Sequence, residues 1–136
     1  MKMQIRKAVE KDISIIAAHD RWIGKEELAR KIDTGRLFVI FEADTFVGWI
    51  RYGLFWDNTP FLKMLHLLEP FRGRGNGTKA LQFWESEMRK LGYRLVMTST
   101  AQTEYAQHFY VNNGYKAAGS FQMANEPLEI LFLKNI

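Results

Sequence analysis

The chain has 136 residues, 47% of them hydrophobic and 14% aromatic, which is enough for one packed domain and too apolar for a disordered one. It has no cysteine, so disulfides, zinc–thiolate sites and a cysteine acyl-enzyme are all excluded. The formal net charge of +4 favours an anionic ligand but is too small and dispersed to point to nucleic acid.

The 3 histidines are scattered and form no H-x-x-x-H pair, so no metal site is expected. The N-terminal residues lack an apolar signal-like stretch, and no run of about 18 apolar residues occurs. A cytoplasmic protein with no membrane partner is the expectation.

Residues 4–8 read as a strand and residues 10–18 as a helix, with Ile13, Ile16 and Ala17 at helical spacing. A second helix follows Gly24, carries Leu28 and Ile32 on one face, and stops at Thr34-Gly35. Residues 37–41 are a continuous apolar run and residues 46–55 a further strand; Ala43-Asp44-Thr45 between them predicts a hairpin. After the loop Trp56-Asp57-Asn58-Thr59-Pro60, residues 61–68 form a strand that leads into Arg72-Gly73-Arg74-Gly75-Asn76-Gly77.

A helix then runs to Gly92, which supplies its C′ residue. Its core stripe is Gly77, Leu81, Trp84, Met88 and Leu91, while Lys79, Glu85, Glu87 and Lys90 look outward. Residues 95–98 make a short strand, and Thr100 or Thr103 can cap a helix that reaches Asn113 and closes at Gly114. Residues 115–123 and 128–133 are two final strands on either side of Asn125-Glu126-Pro127. No linker or repeat interrupts this order. The expectation is a single domain over residues 1–136, an α/β fold of order β-α-α-β-β-β-α-β-α-β-β with a mixed central sheet flanked by helices.

A strand that feeds a glycine loop and a helix start is the backbone layout that binds phosphate. The glycines admit positive φ, the helix start offers unpaired amides and the positive end of its dipole, and Arg72 and Arg74 add full charges. The loop has no Lys-Ser/Thr after its last glycine and does not fit G-x-G-x-x-G, so it is neither a P-loop nor a dinucleotide fingerprint. Arg72-x-x-Gly75-x-Gly77 between strand and helix instead resembles the acetyl-CoA signature, Arg/Gln-x-x-Gly-x-Gly/Ala, of the GNAT superfamily of N-acetyltransferases. A second stretch, Thr103-x-x-Ala106-x-x-x-Tyr110-x-x-x-Gly114-Tyr115, resembles the Asn-x-x-Ala-x-x-x-Tyr-x-x-x-Gly-Phe of the family's last helix. The order of elements matches the GNAT fold over essentially the whole chain. Two departures stand out: Thr103 replaces the usual Asn, with Gln102 beside it, and Pro70-Phe71-Arg72 is one residue tighter than Pro-x-x-Arg.

The resemblance implies transfer of an acetyl group from acetyl-CoA directly to an amine acceptor (a small molecule, an amino acid or a peptide) with no covalent enzyme intermediate. It implies that the cofactor is held by Leu67 and Leu68, by the loop residues Arg72, Gly73, Arg74 and Gly75, and by Asn76, Gly77 and Thr78 at the helix start. From the second motif it implies Gln102, Thr103, Phe109 and Tyr110. The basic group Arg72, Arg74, Lys79, Arg89, Lys90 and Arg94 suits a diphosphate and a 3′-phosphate.

The family uses the tyrosine at the Tyr110 position to protonate the departing thiolate. Beside Phe109 it also reads as a core residue, a reading that the second motif in register outweighs. In the family the cofactor strand and its neighbour splay apart, so a main-chain N–H near Leu67 or Leu68 is the expected oxyanion donor. For the general base, His66 titrates in the useful range, Glu69 follows three residues later, and a water relay to Asp57 or Glu129 stays open. Acceptor contacts are expected from Trp56 and Asp57, from Glu104 or Glu129, and from His19, Asp20 and Trp22.

The same motifs fit a non-catalytic acetyl-CoA-binding regulatory module, the alternative reading. A nucleic-acid-binding domain would need aromatics interleaved with basic residues, which Tyr93-Arg94 and Arg51-Tyr52 scarcely supply. Pairing into a homodimer through the last strands stays open.

Overall fold

The structure, a computed structural model, describes residues 2–136. Its elements are β1 (Met3–Lys7), α1 (Ile13–His19), α2 (Lys25–Asp33), β2 (Leu37–Glu42), β3 (Thr45–Phe55), β4 (Thr59–Leu67), α3 (Asn76–Lys90), β5 (Leu95–Ala101), α4 (Ala106–Asn112), β6 (Lys116–Phe121) and β7 (Glu129–Asn135). The strands form one seven-stranded mixed sheet in the order β1-β2-β3-β4-β5-β7-β6. The α/β order is the one expected from the sequence. Among the described residues no helix is long and apolar enough to cross a membrane.

Local chemistry shifts some element ends. The first helix opens as a 3-10 turn over Glu10–Asp12. There the Asp12 carboxylate accepts the Val9 N–H at 2.7 Å and both terminal nitrogens of Arg6, at 2.8 and 3.0 Å. The Arg6 hydrogen bonds lead in holding that carboxyl below its usual range, against the effect of burial. The expected threonine cap of α4 is absent. Thr100 lies inside β5, and α4 begins after Tyr105 with no side-chain cap. The chain instead turns through backbone bonds, the Gln102 N–H donating to Leu128 O and the Glu104 N–H to Ala101 O.

The chain divides into two compact units. The first comprises residues up to 52 together with 64–84. In it β1, β2 and the first part of β3 pair antiparallel, with Ile5 opposite Ile40 and Val39 opposite Trp49. Ile16, Leu28, Leu37, Val39, Phe46 and Trp49 form its core, and Met64 of β4 and Leu68 just after it pack against them. Each such side chain, once buried, contributes roughly 1.5–3 kcal/mol. Gly48 marks the closest approach in this unit: a Cβ there would stand 2.0 Å from the His66 carbonyl oxygen, so only glycine lets β3 lie against β4 at that point. On the N-terminal half of α3, Leu81 and Trp84 are buried, with Trp84 edge-on to Tyr52 at 5.7 Å.

The second unit comprises residues 53–63 and 85–136. β5 pairs antiparallel with β7 from Leu95–Asn135 to Ala101–Glu129, and β7 pairs with β6. The parallel register of β4 on β5 runs through Phe61–Met97 and Leu62–Thr98. Two expectations for α3 are corrected here. Leu91 lies beyond the helix and is 64% exposed, because α3 stops at Lys90. Glu85, expected to face solvent, is 2% exposed. Its carboxylate accepts the Tyr115 hydroxyl at 2.8 Å and Lys134 Nζ at 3.0 Å, which satisfies a charge that burial would otherwise make costly.

Candidate active site

The glycine loop has the backbone that the sequence predicts. Gly73 and Gly75 sit at φ +76° and +77°, and a Cβ on either would meet nothing within 4 Å, so the loop faces open space. Gly75 O accepts the Lys79 N–H at 3.2 Å, which makes Gly75 the residue before the helix. The amides of Asn76, Gly77 and Thr78 then have no acceptor within the helix. The first turn carries no acidic side chain, and Arg72, Arg74 and Lys79 are exposed around it. Asn76 is buried and its Nδ2 donates to Phe71 O at 3.1 Å, while Arg74 Nη2 donates to Pro70 O at 3.0 Å, tying the loop to the turn before it. Backbone donors, positive charge and open space together fit a diphosphate.

The end of β4 brings His66 and Leu67, with Leu68 just after them, beside Arg72 in the first unit. The Leu68 N–H donates to Val47 O at 2.8 Å, so of the two expected positions for the oxyanion donor Leu68 is already engaged. Strand alternation then aims the Leu67 N–H at the edge of β4 away from β3. The Leu67 carbonyl accepts Arg72 Nε at 2.7 Å. His66 is half-buried, its ring 4.9 Å from that of Trp49, and its Nε2 lies 3.1 Å from Arg72 Nη2. A guanidinium can only donate, so Nε2 is the acceptor and the imidazole is neutral with its proton on Nδ1. Burial first, then the charges of Arg72 and His19, hold His66 below its ordinary value, against an opposing pull from Asp20. Glu69 is exposed in the 3-10 turn Glu69–Phe71.

Asp20 was expected to line a substrate cleft and instead is a buried structural anion. It accepts Arg51 Nε at 2.7 Å, Trp49 Nε1 at 3.0 Å and the Trp22 N–H at 3.1 Å. Burial pushes its carboxyl up, and these donors outweigh burial and hold it below its usual range. A charged Arg51 inside a strand buried on both faces was the available signal for such a pair; its partner 31 residues away was not readable.

In the second unit Tyr110 is buried on α4, with ring centroids of Phe109, Tyr115 and Phe132 at 5.1, 5.4 and 6.5 Å. Burial pushes its hydroxyl up to about 12; Thr98 acts in the opposite direction and the negative charge of Glu104 adds to the rise. Thr98 itself donates to Leu62 O at 2.9 Å, a polar neighbour of Tyr110 that sequence reasoning missed. Gln102 and Thr103 are exposed in the turn before α4, with the Gln102 carbonyl accepting Gln107 Nε2 at 2.6 Å. Glu129 is engaged elsewhere: its Oε2 accepts Ser99 Oγ at 2.6 Å. Trp56 and Asp57 are the two central residues of the β3–β4 turn, at φ +53° and +62°, closed by the Asn58 N–H on Phe55 O. Trp56 is 80% exposed there.

A family model described as the acetyltransferase (GNAT) family matches residues 8–115. The chain belongs to the GNAT acetyltransferase family. Solved structures carry the same fold. One is a GNAT acetyltransferase from Bacillus cereus ATCC 10987, 24% identical, TM-score 0.80, with 99% of this chain and 98% of that chain covered. Another is the PaiA N-acetyltransferase of Thermoplasma acidophilum in complex with coenzyme A, 20% identical, TM-score 0.81, with both chains fully covered at 100%. A GNAT acetyltransferase from Elizabethkingia anophelis with acetyl-CoA bound is 15% identical, TM-score 0.72, with 98% of each chain covered. Among curated proteins none matches. In this GNAT chain the described residues contain no group of three His, Asp or Glu able to hold a metal ion.

Proposed function

We propose that this GNAT chain is an acetyl-CoA-dependent N-acetyltransferase that delivers the acetyl group directly to an amine, which is a small molecule, an amino acid or a peptide. The observation that carries this reading is the loop in a chain of this family: glycines at positive φ, a helix start with unpaired amides and no acidic side chain, and three exposed cations around it. With no cysteine in the chain there is no thiol to carry an acyl-enzyme, and direct attack is the simpler course.

Acetyl-CoA supplies the activated thioester carbonyl; the remaining tasks fall to residues of this chain. The amides at residues 76–78, with Arg72 and Arg74, grip the diphosphate. The Leu67 N–H stabilises the negative charge that develops on the carbonyl oxygen, a contribution of ~3 kcal/mol for such a donor. His66 takes the amine's proton, since it is neutral and half-buried, whereas Glu69 is exposed. Tyr110 serves the departing sulfur. With its hydroxyl near 12, complete transfer to a thiolate near 8.5 would be uphill by ~5 kcal/mol, so the phenol acts by donating a hydrogen bond rather than by losing its proton. Trp56 and Asp57, with Glu104, present the acceptor side.

The test is to incubate the protein with acetyl-CoA and a panel of polyamines, amino acids and peptides while reading free thiol. Thiol release that depends on an added amine is the expected result. Tight coenzyme A binding with no amine-dependent release would leave a binding module and overturn the enzyme.

A further inference from the structure

In the free protein Arg72 is engaged with the end of the strand before the loop. Its Nε donates to the Leu67 carbonyl at 2.7 Å and its Nη2 to His66 Nε2 at 3.1 Å. Among the described residues no carboxylate forms an ion pair with it, although its neighbours in the first unit include two such pairs, Arg6–Asp12 and Arg51–Asp20. A full cation is thus held by two neutral acceptors. A phosphate adds what these acceptors lack, a full negative charge and oxygens spaced for bidentate pairing with a guanidinium. A diphosphate seated on the amides at residues 76–78, four to six residues along the chain, would compete for Arg72.

We propose that Arg72 is a positioning residue that occupies the lone pair of His66 Nε2 until a diphosphate on the loop draws it away, so that the base is uncovered only once the acyl donor is seated. The inference rests on the acetyltransferase reading above and adds a coupling between its two halves. Two other charged groups act on the imidazole besides Arg72. His19 at the end of α1 disfavours its protonation, and Asp20, just after α1, favours it; Arg51 on β3 is neutralised against Asp20. Removing Arg72 therefore takes away a cation and frees an acceptor in one movement. The Trp49 ring, itself fixed by its indole hydrogen bond to Asp20, keeps the imidazole in place meanwhile.

The experiment is an NMR titration of the histidine ring nitrogens, with His66 assigned from His66→Gln, in wild type and Arg72→Gln, each with and without coenzyme A. Binding of coenzyme A is measured separately by calorimetry. In wild type, coenzyme A should raise the His66 titration midpoint and shift its Nε2 resonance toward that of an unbonded imidazole nitrogen. In Arg72→Gln the midpoint should already be raised in the free protein, and coenzyme A should add little. The proposal alone fails if coenzyme A binds but the free Arg72→Gln protein titrates as wild type does, or if coenzyme A moves both proteins equally. Absence of coenzyme A binding to wild type would overturn the acetyltransferase reading and this inference with it.

Discussion

Tyr110 is buried among three aromatic rings, and that burial pushes its hydroxyl up to about 12. Tyr110→Phe should keep the rings and lose the donor. The expected outcome is a fall in kcat of about 10²-fold with the KM for acetyl-CoA little changed. An unchanged kcat in a steady-state thiol assay would remove Tyr110 from the chemistry. Trp56 offers the complementary case. It occupies a left-handed turn position that costs a non-glycine residue roughly 1–2 kcal/mol, and leaves a large apolar ring in solvent. Trp56→Asn should therefore stabilise the fold by about 1 kcal/mol while raising the KM for the acceptor. A loss of stability in urea, or an unchanged acceptor KM, would show that the ring serves packing or nothing at all.

Elements here are placed by patterns that the sequence shows plainly and finished by contacts that it does not. Alternating apolar runs and the glycine loop were enough to predict every strand and helix in order, because each has the period or the breaker that its backbone requires. Glu85 was misread as outward although it follows Leu81 by four positions and precedes Met88 by three, so it lies on the apolar face. The partners that make its burial tolerable, Tyr115 and Lys134, are 30 and 49 residues away and are fixed by strand pairing rather than by local sequence. That the Leu68 amide is already engaged was not readable for a similar reason: which amide of a strand is engaged depends on the neighbour's register. Gly48 is the point where that register is least forgiving. Gly48→Ala would force a Cβ onto the His66 carbonyl and should cost ~2–4 kcal/mol, read as a lower urea midpoint. Gly24→Ala, where a Cβ meets nothing within 4 Å, should change stability by less than about 1 kcal/mol. Equal losses in the two variants would mean that β3 and β4 are not as close as described.

Over the whole molecule, buried tyrosines set the response to alkali. Burial pushes Tyr110 up to about 12, and burial with the charge of Glu85 raises Tyr115 further still. Both stay protonated in the native chain while the unfolded chain ionises near 10, so the unfolded state holds fewer protons there and stability falls as pH rises. Each tyrosine should remove about 1.4 kcal/mol per pH unit above pH ~10, the contribution of Tyr110 being fully lost near its native value. Urea midpoints that stay flat between pH ~9 and ~11 would contradict this. The proposed chemistry as a whole depends on the loop. A crystal structure of the protein with coenzyme A should show the diphosphate on the backbone amides at residues 76–78, with Arg72 turned from His66 onto a phosphate oxygen. Coenzyme A bound away from those amides, or a loop left empty at saturating ligand, would contradict it.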